Sequence, residues 1–118
     1  MRQWAIAALV IAACAKKQEA APHEAPAVPA VSAEEAQRGR DACGEYVKRV
    51  CACSDTVPAV KQQCDLARAM PDAVRLGLEV AASPDSKPND VIGAQKAMRQ
   101  AVKECIEQTA KLPTLGCS

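Results

Sequence analysis

The chain has 118 residues, with 15 basic and 14 acidic side chains and a formal net charge of +1 at neutral pH. This balance argues against a general nucleic-acid-binding protein, which requires a basic surface for the phosphate backbone. Trp4 and Tyr46 are the only aromatic residues, so aliphatic side chains have to form the core. A domain of this size buries only about 60% of its unfolded surface, and part of its stability has to come from another source.

Residues 1–14 have the order of features found in a bacterial export signal. Arg2 supplies a positive charge, residues 4–13 form an unbroken apolar run, and Cys14 follows. The segment Ile11-Ala12-Ala13-Cys14 resembles the lipobox of bacterial lipoproteins. In that family the cysteine is lipidated and becomes the mature N-terminus. The resemblance therefore implies that residues 1–13 are a signal peptide and that Cys14 carries the membrane anchor.

Two alternatives exist for this stretch. A membrane-spanning helix requires about 20 apolar residues, which is twice the length of this run. Ordinary secretory cleavage is the second alternative, because Ala13-Cys14-Ala15 is also a small-x-small site. Either cleavage exports the chain to the oxidising side of the inner membrane. In the lipoprotein family an aspartate after the lipidated cysteine often retains the protein at the inner membrane. Ala15 stands there, which favours the periplasmic face of the outer membrane.

Residues 14–31 are expected to be a lipidated N-terminus followed by a flexible tether. Pro22, Pro26 and Pro29 recur among Ala, Val and Glu, without any apolar periodicity. Prolines at this density favour extended backbone and exclude helix. At about 3.1 Å per residue, the tether would hold the domain up to ~50 Å from the membrane. His23 is the only histidine, and we interpret it as a solvent-exposed linker residue.

Residues 32–118 are expected to form one helical, cysteine-rich domain. Ser32-Ala33-Glu34-Glu35 is a capping box, in which the serine accepts from the third amide and Glu35 reaches back. The first helix is predicted to run to about Cys51. Its apolar face is predicted to comprise Ala36, Gly39, Cys43, Tyr46, Val47 and Val50. We interpret Tyr46 as the single aromatic residue of the core, with ligand stacking as the alternative.

Two more helices are predicted further along the chain. The second extends from about Val57 to Ala81, and Pro71 predicts a kink or break in it. The proline-containing stretch 83–88 predicts a loop. The third helix is predicted from about Asn89 to Lys111. Its core face is predicted to comprise Val91, Ala94, Met98, Ala101, Val102, Cys105, Ile106 and Thr109. Three helices with short connections indicate an all-α, up-down-up bundle.

Six cysteines remain after Cys14 is assigned to the lipid, and in an exported chain they imply three disulfides with 15 possible pairings. Heights along the bundle, at 1.5 Å per residue, select among these pairings. The preferred pairing is Cys43–Cys105, Cys51–Cys117 and Cys53–Cys64. The alternative keeps the first bond and exchanges the other partners, which gives Cys51–Cys64 and Cys53–Cys117.

Cys51-Ala52-Cys53 is the one local motif with possible redox or metal chemistry. A zinc site would require two more ligands nearby, and the C-x-x-C spacing of redox proteins is absent. The sequence also has no Gly-rich phosphate loop and no nucleophile expected beside a histidine. We therefore predict no catalytic residue, no cofactor and no metal site. The acidic pairs Glu34-Glu35 and Glu104/Glu107 are predicted to be surface charges.

The spacing Cys43-x2-Tyr46-x4-Cys51, with Cys105-x11-Cys117, resembles small helical, cysteine-stapled bacterial lipoproteins of unknown function. That resemblance implies a style of fold and no activity. The expected function is a membrane-anchored, non-catalytic module that binds an envelope protein or a cell-wall component. The alternative is a thiol-redox or metal-binding envelope protein that uses Cys51-Ala52-Cys53.

Overall fold

The computed structural model describes residues 28–117, and these residues form four α-helices without any strand. The helices are α1 (Ala33–Ser54), α2 (Lys61–Ala67), α3 (Met70–Ala82) and α4 (Pro88–Lys111). Short 3₁₀ turns precede α2 at Pro58–Val60 and follow α4 at Leu112–Leu115. The all-helical class is therefore confirmed for this part of the chain. The predicted signal peptide, Cys14, His23 and most of the tether lie outside the described residues.

The first helix begins where the sequence predicts but ends later. The Ser32 hydroxyl accepts from the Glu35 amide at 3.0 Å, which is the serine half of the capping box. The Glu35 carboxylate instead binds Arg99, so the other half is absent. At the far end, the Ser54 hydroxyl donates to the Cys51 carbonyl at 2.7 Å. Side-chain donors of this kind satisfy the free carbonyls of a last turn, and α1 extends to Ser54 rather than to about Cys51.

The second predicted helix is divided into a 3₁₀ turn, α2 and α3. The break lies at Arg68 and Ala69, just before α3 begins at Met70. Pro71 occupies the first turn of α3, where a backbone N–H has no partner within the helix. The predicted break therefore exists, and the proline starts a new helix rather than kinking a continuous one.

Side chains from every helix form the core, and five of its members are half-cystines. The buried cluster comprises Cys43, Tyr46, Val50, Cys53, Val60, Cys64, Ala67, Val74, Met98, Cys105, Leu112 and Cys117. One prediction for the core face of α4 is wrong, and one buried residue is not part of that prediction. Ile106 is 57% exposed, whereas Gln95 is buried. Successive helical residues are turned by about 100°, so with Cys105 at the centre of the buried face, Ile106 lies at its edge.

Glycines let the helices approach closely. A Cβ atom at Gly39 would lie 2.8 Å from the Val102 side chain, and one at Gly77 would lie 2.9 Å from Met98 Cβ. These positions are where α1 and α3 contact α4. Within residues 28–117, no helix has both the length and the apolar character that crossing a membrane requires.

Candidate partner-binding groove and disulfide framework

Three disulfides connect the helices, and each uses one cysteine of α1. The structure contains Cys43–Cys105, which both sequence-based pairings include. The other two bonds are Cys51–Cys64 and Cys53–Cys117. The preferred bonds Cys51–Cys117 and Cys53–Cys64 are therefore wrong, and the alternative pairing is the observed one.

Part of the correction follows from the length of α1. The preferred pairing places Cys53 at the start of a turn, free to close a hairpin with Cys64. Because α1 continues to Ser54, Cys53 is still helical. At 100° per residue, Cys51 points about 80° to one side of Cys43, and Cys53 points about 80° to the other. One cysteine then faces α2, and the other faces the segment that follows α4.

This framework also separates the two sulfur atoms of the Cys51-Ala52-Cys53 motif. Each sulfur is bonded to a different partner, so the motif does not form a joint dithiol site. In the described part of the chain, no group of three or more His, Cys, Asp or Glu side chains is arranged to hold a metal ion.

A groove between α2 and α4, hereafter the Tyr46 groove, has at its edge the most exposed large apolar side chain of residues 28–117. It has a volume of about 310 Å³ and is lined by Tyr46, Gln63, Leu66, Ala67, Met70, Glu104 and Gln108. Tyr46 and Ala67 are buried, whereas Leu66 is 66% exposed. The groove thus combines an apolar lining with amide and carboxylate groups. Such a surface fits a protein segment better than a small charged molecule.

The polar groups of the Tyr46 groove are incompletely satisfied. Gln63 Oε1 is buried and has no hydrogen-bond donor within residues 28–117. An unpaired buried acceptor costs about 1–3 kcal/mol. Burial raises the pKa of the Tyr46 hydroxyl, which remains protonated and able to donate at neutral pH. Tyr46 is buried in the core, as predicted, and it also lines this groove.

At the N-terminal end of the domain, Arg99 connects α4 to the incoming chain. Its Nε donates to Glu35 Oε1 at 2.6 Å, and its Nη2 donates to Glu35 Oε2 at 3.1 Å and to the Pro29 carbonyl at 2.9 Å. The hydrogen bonds from Arg99 lower the pKa of Glu35, and partial desolvation opposes this effect. Glu35 is therefore half of an interhelical ion pair rather than the free surface charge expected from the sequence.

Other predicted surface charges lie where the sequence places them. Glu107 pairs with Lys103 at 3.8 Å on an exposed face of α4, and Glu104 accepts from Gln100 at 3.2 Å.

Leu66 is a groove residue that the sequence analysis does not identify. Its signal is an apolar residue between Asp65 and Ala67 that falls outside the three- and four-residue steps of the predicted stripe.

Comparisons with protein-family models, with curated proteins and with solved structures gave no match for this chain.

Proposed function

We propose that this protein is a lipid-anchored, non-catalytic module of the bacterial cell envelope that binds a partner protein through the Tyr46 groove. The anchor is Cys14, and its support is the lipobox resemblance of Ile11-Ala12-Ala13-Cys14. Export is further supported by the three disulfides, because such bonds persist mainly in oxidising compartments. The outer membrane is the proposed location, because Ala15 follows the anchor cysteine.

The proposed scaffold is an up-down-up bundle in which α2 and α3 together form the descending limb. Contacts between α1 and α4 support a parallel arrangement, since Glu35 pairs with Arg99 and Cys43 pairs with Cys105 further along both helices. Contacts of α1 with the descending limb run the other way. A Cβ atom at Gly39 would lie 3.8 Å from Val74, whereas Cys51 bonds to Cys64, which comes earlier in the chain.

The observation that carries the partner-binding proposal is Leu66, which is 66% exposed at the edge of the Tyr46 groove. Covering a leucine of this exposure is worth about 1–2 kcal/mol. The partner is therefore a protein segment that offers an aliphatic or aromatic side chain to cover Leu66.

Site-specific photo-crosslinking of the full chain in its own bacterium tests the groove. A photoreactive phenylalanine analogue at Leu66 should form a discrete adduct with one protein. The matched control is Leu76 on α3, which is also exposed, at 52%, and lies outside the groove. Leu66→Asp should abolish co-purification of the protein that is crosslinked at position 66. Equal adducts from both positions, or retention of the partner by Leu66→Asp, would contradict the proposal.

Metabolic labelling tests the anchor separately. Radiolabelled palmitate should enter the wild-type chain and should not enter Cys14→Ser. A mature protein that begins at Lys16 would show secretory cleavage instead and would refute lipidation at Cys14.

A further inference from the structure

The Cys53–Cys117 disulfide lies in a second open groove, hereafter the basic groove, of about 350 Å³. Lys48, Arg49 and both cysteines of the bond contribute to its lining, and no acidic side chain does. No ion pair within residues 28–117 involves Lys48 or Arg49. The disulfide is therefore beside two positive charges that are available to an incoming anion.

We propose that Cys53–Cys117 is a site of thiol–disulfide exchange, and that its co-reactant is an anionic dithiol such as an acidic dithiol protein. Two effects of the basic groove favour this bond. Positive charges concentrate an attacking thiolate near the disulfide. They also stabilise the thiolate that leaves, and a lower pKa of the leaving thiol makes the exchange faster.

The exchange balances in two steps. A thiolate of the co-reactant attacks Cys117 Sγ, which forms a mixed disulfide and releases Cys53 as a thiolate one helical turn after Arg49. The second thiolate of the co-reactant then attacks the co-reactant's other sulfur, the one bonded to Cys117 Sγ, and releases the Cys117 thiolate. The co-reactant leaves as a disulfide, having lost two electrons. Cys53 and Cys117 have gained those electrons, and each thiolate takes up a proton from water.

Neither of the other two disulfides lines the basic groove. Cys43 and Cys105 are both 0% exposed, so no thiolate reaches their bond without unfolding. Cys51 is partly exposed but is bonded to the buried Cys64, and neither residue lines the basic groove. Exposure alone would favour Cys51–Cys64, since Cys53 and Cys117 are only 8% and 5% exposed. The two cations of the basic groove favour Cys53–Cys117.

Opening this bond would affect the end of the chain and leave the bundle joined. Gly116 has a left-handed φ of 88°, and the turn it makes brings Cys117 back to α1. The Cys117 amide is also held by the Leu112 carbonyl at 3.1 Å. Reduction therefore removes the covalent link between Cys117 and α1, whereas Cys43–Cys105 still connects α1 to α4. The result is a local change next to Lys48 and Arg49.

Brief reduction of the detergent-solubilised full chain, followed by alkylation and peptide mapping, tests the inference. Cys53 and Cys117 should be alkylated before the other four cysteines of the domain. The cleavage rates with anionic mercaptoacetate and cationic cysteamine are compared at equal thiolate concentration. The ratio of these two rates should be about fivefold higher for Cys53–Cys117 than for an uncharged model disulfide. Lys48→Gln/Arg49→Gln should remove that preference.

The matched control removes two charges elsewhere, as Arg40→Gln/Lys96→Gln. Arg40 lies about 20 Å along α1 from Cys53, beyond the screening length at physiological salt. This variant should retain the wild-type preference for the anionic thiol. The inference would be overturned if Cys51 and Cys64 were alkylated before Cys53 and Cys117. It would also be overturned if the Lys48→Gln/Arg49→Gln variant kept the wild-type preference for the anionic thiol.

Discussion

Gly77 should be the least replaceable glycine of the bundle, and Gly77→Ala tests how closely α3 and α4 pack. A Cβ atom at this position would lie 2.9 Å from Met98 Cβ and 3.1 Å from the Ala94 carbonyl oxygen. Neither atom is the mobile end of a side chain, so accommodating the methyl group requires the helix backbones to separate. Overpacking of this kind costs about 1–3 kcal/mol.

The size of the effect follows from two opposing contributions. Replacing a helical glycine with alanine stabilises a helix by about 1 kcal/mol, because the unfolded chain loses conformational freedom. Since the clash at Gly77 involves backbone, we take the upper part of the overpacking range, about 3 kcal/mol. The net expectation is a loss of about 2 kcal/mol. Gly44→Ala is the matched control, because within residues 28–117 no atom beyond its own stretch of α1 lies within 4 Å of its Cβ position. It should stabilise the domain by about 0.5–1 kcal/mol.

Urea unfolding of the disulfide-intact protein, followed by far-UV circular dichroism, measures both variants. Equal slopes against urea would show that the denatured states are comparable, so the midpoints report stability. The two variants should differ by about 3 kcal/mol in the free energy of unfolding. A Gly77→Ala protein as stable as Gly44→Ala would refute the close approach of α3 to α4.

Three further predictions concern the ion pair and the disulfides. Hydrogen bonds from Arg99 lower the folded-state pKa of Glu35, so the pair should stabilise the domain above the carboxyl's unfolded pKa and lose this effect as pH falls through the folded value. The stability difference between wild type and Glu35→Gln should therefore shrink on acidification below pH ~4, and a constant difference would contradict the assignment. Cys43→Ala/Cys105→Ala opens a loop with a sequence separation of 62 residues and should cost about 4 kcal/mol in urea unfolding; a loss below about 1 kcal/mol would show that this bond is not a main source of stability. The native domain should show no free thiol among its six cysteines before it is reduced, and a thiol detected in denaturant alone would disprove the three-bond framework.

Local signals in the sequence predict much of this fold. The apolar steps of three and four residues locate the helical segments, and Ser32 marks where α1 begins. Pro71 indicates that the second helical segment is interrupted. These features depend on neighbours within one or two turns, so they can be read from the chain itself.

Features that depend on distant residues could not be predicted in the same way. Cys51 and Cys53 diverge to opposite sides of α1, but spacing alone does not say which side α2 occupies. The two remaining pairings therefore differ by the hand of the bundle. Glu35 and Arg99 are separated by 64 residues, and no local pattern connects them. Both features become visible only when the packing of the helices is known.

The disulfide framework has a consequence for proteolysis, because one end of every bond lies on α1. A protease that cuts the chain between α3 and α4, in residues 83–87, leaves α4 attached to α1 through Cys43–Cys105. A cut between α1 and α2, in residues 55–57, leaves α2 attached through Cys51–Cys64. A single cut in either connection therefore releases no fragment, and the nicked protein keeps its mass on a non-reducing gel. Such a protein would remain assembled in a compartment rich in proteases.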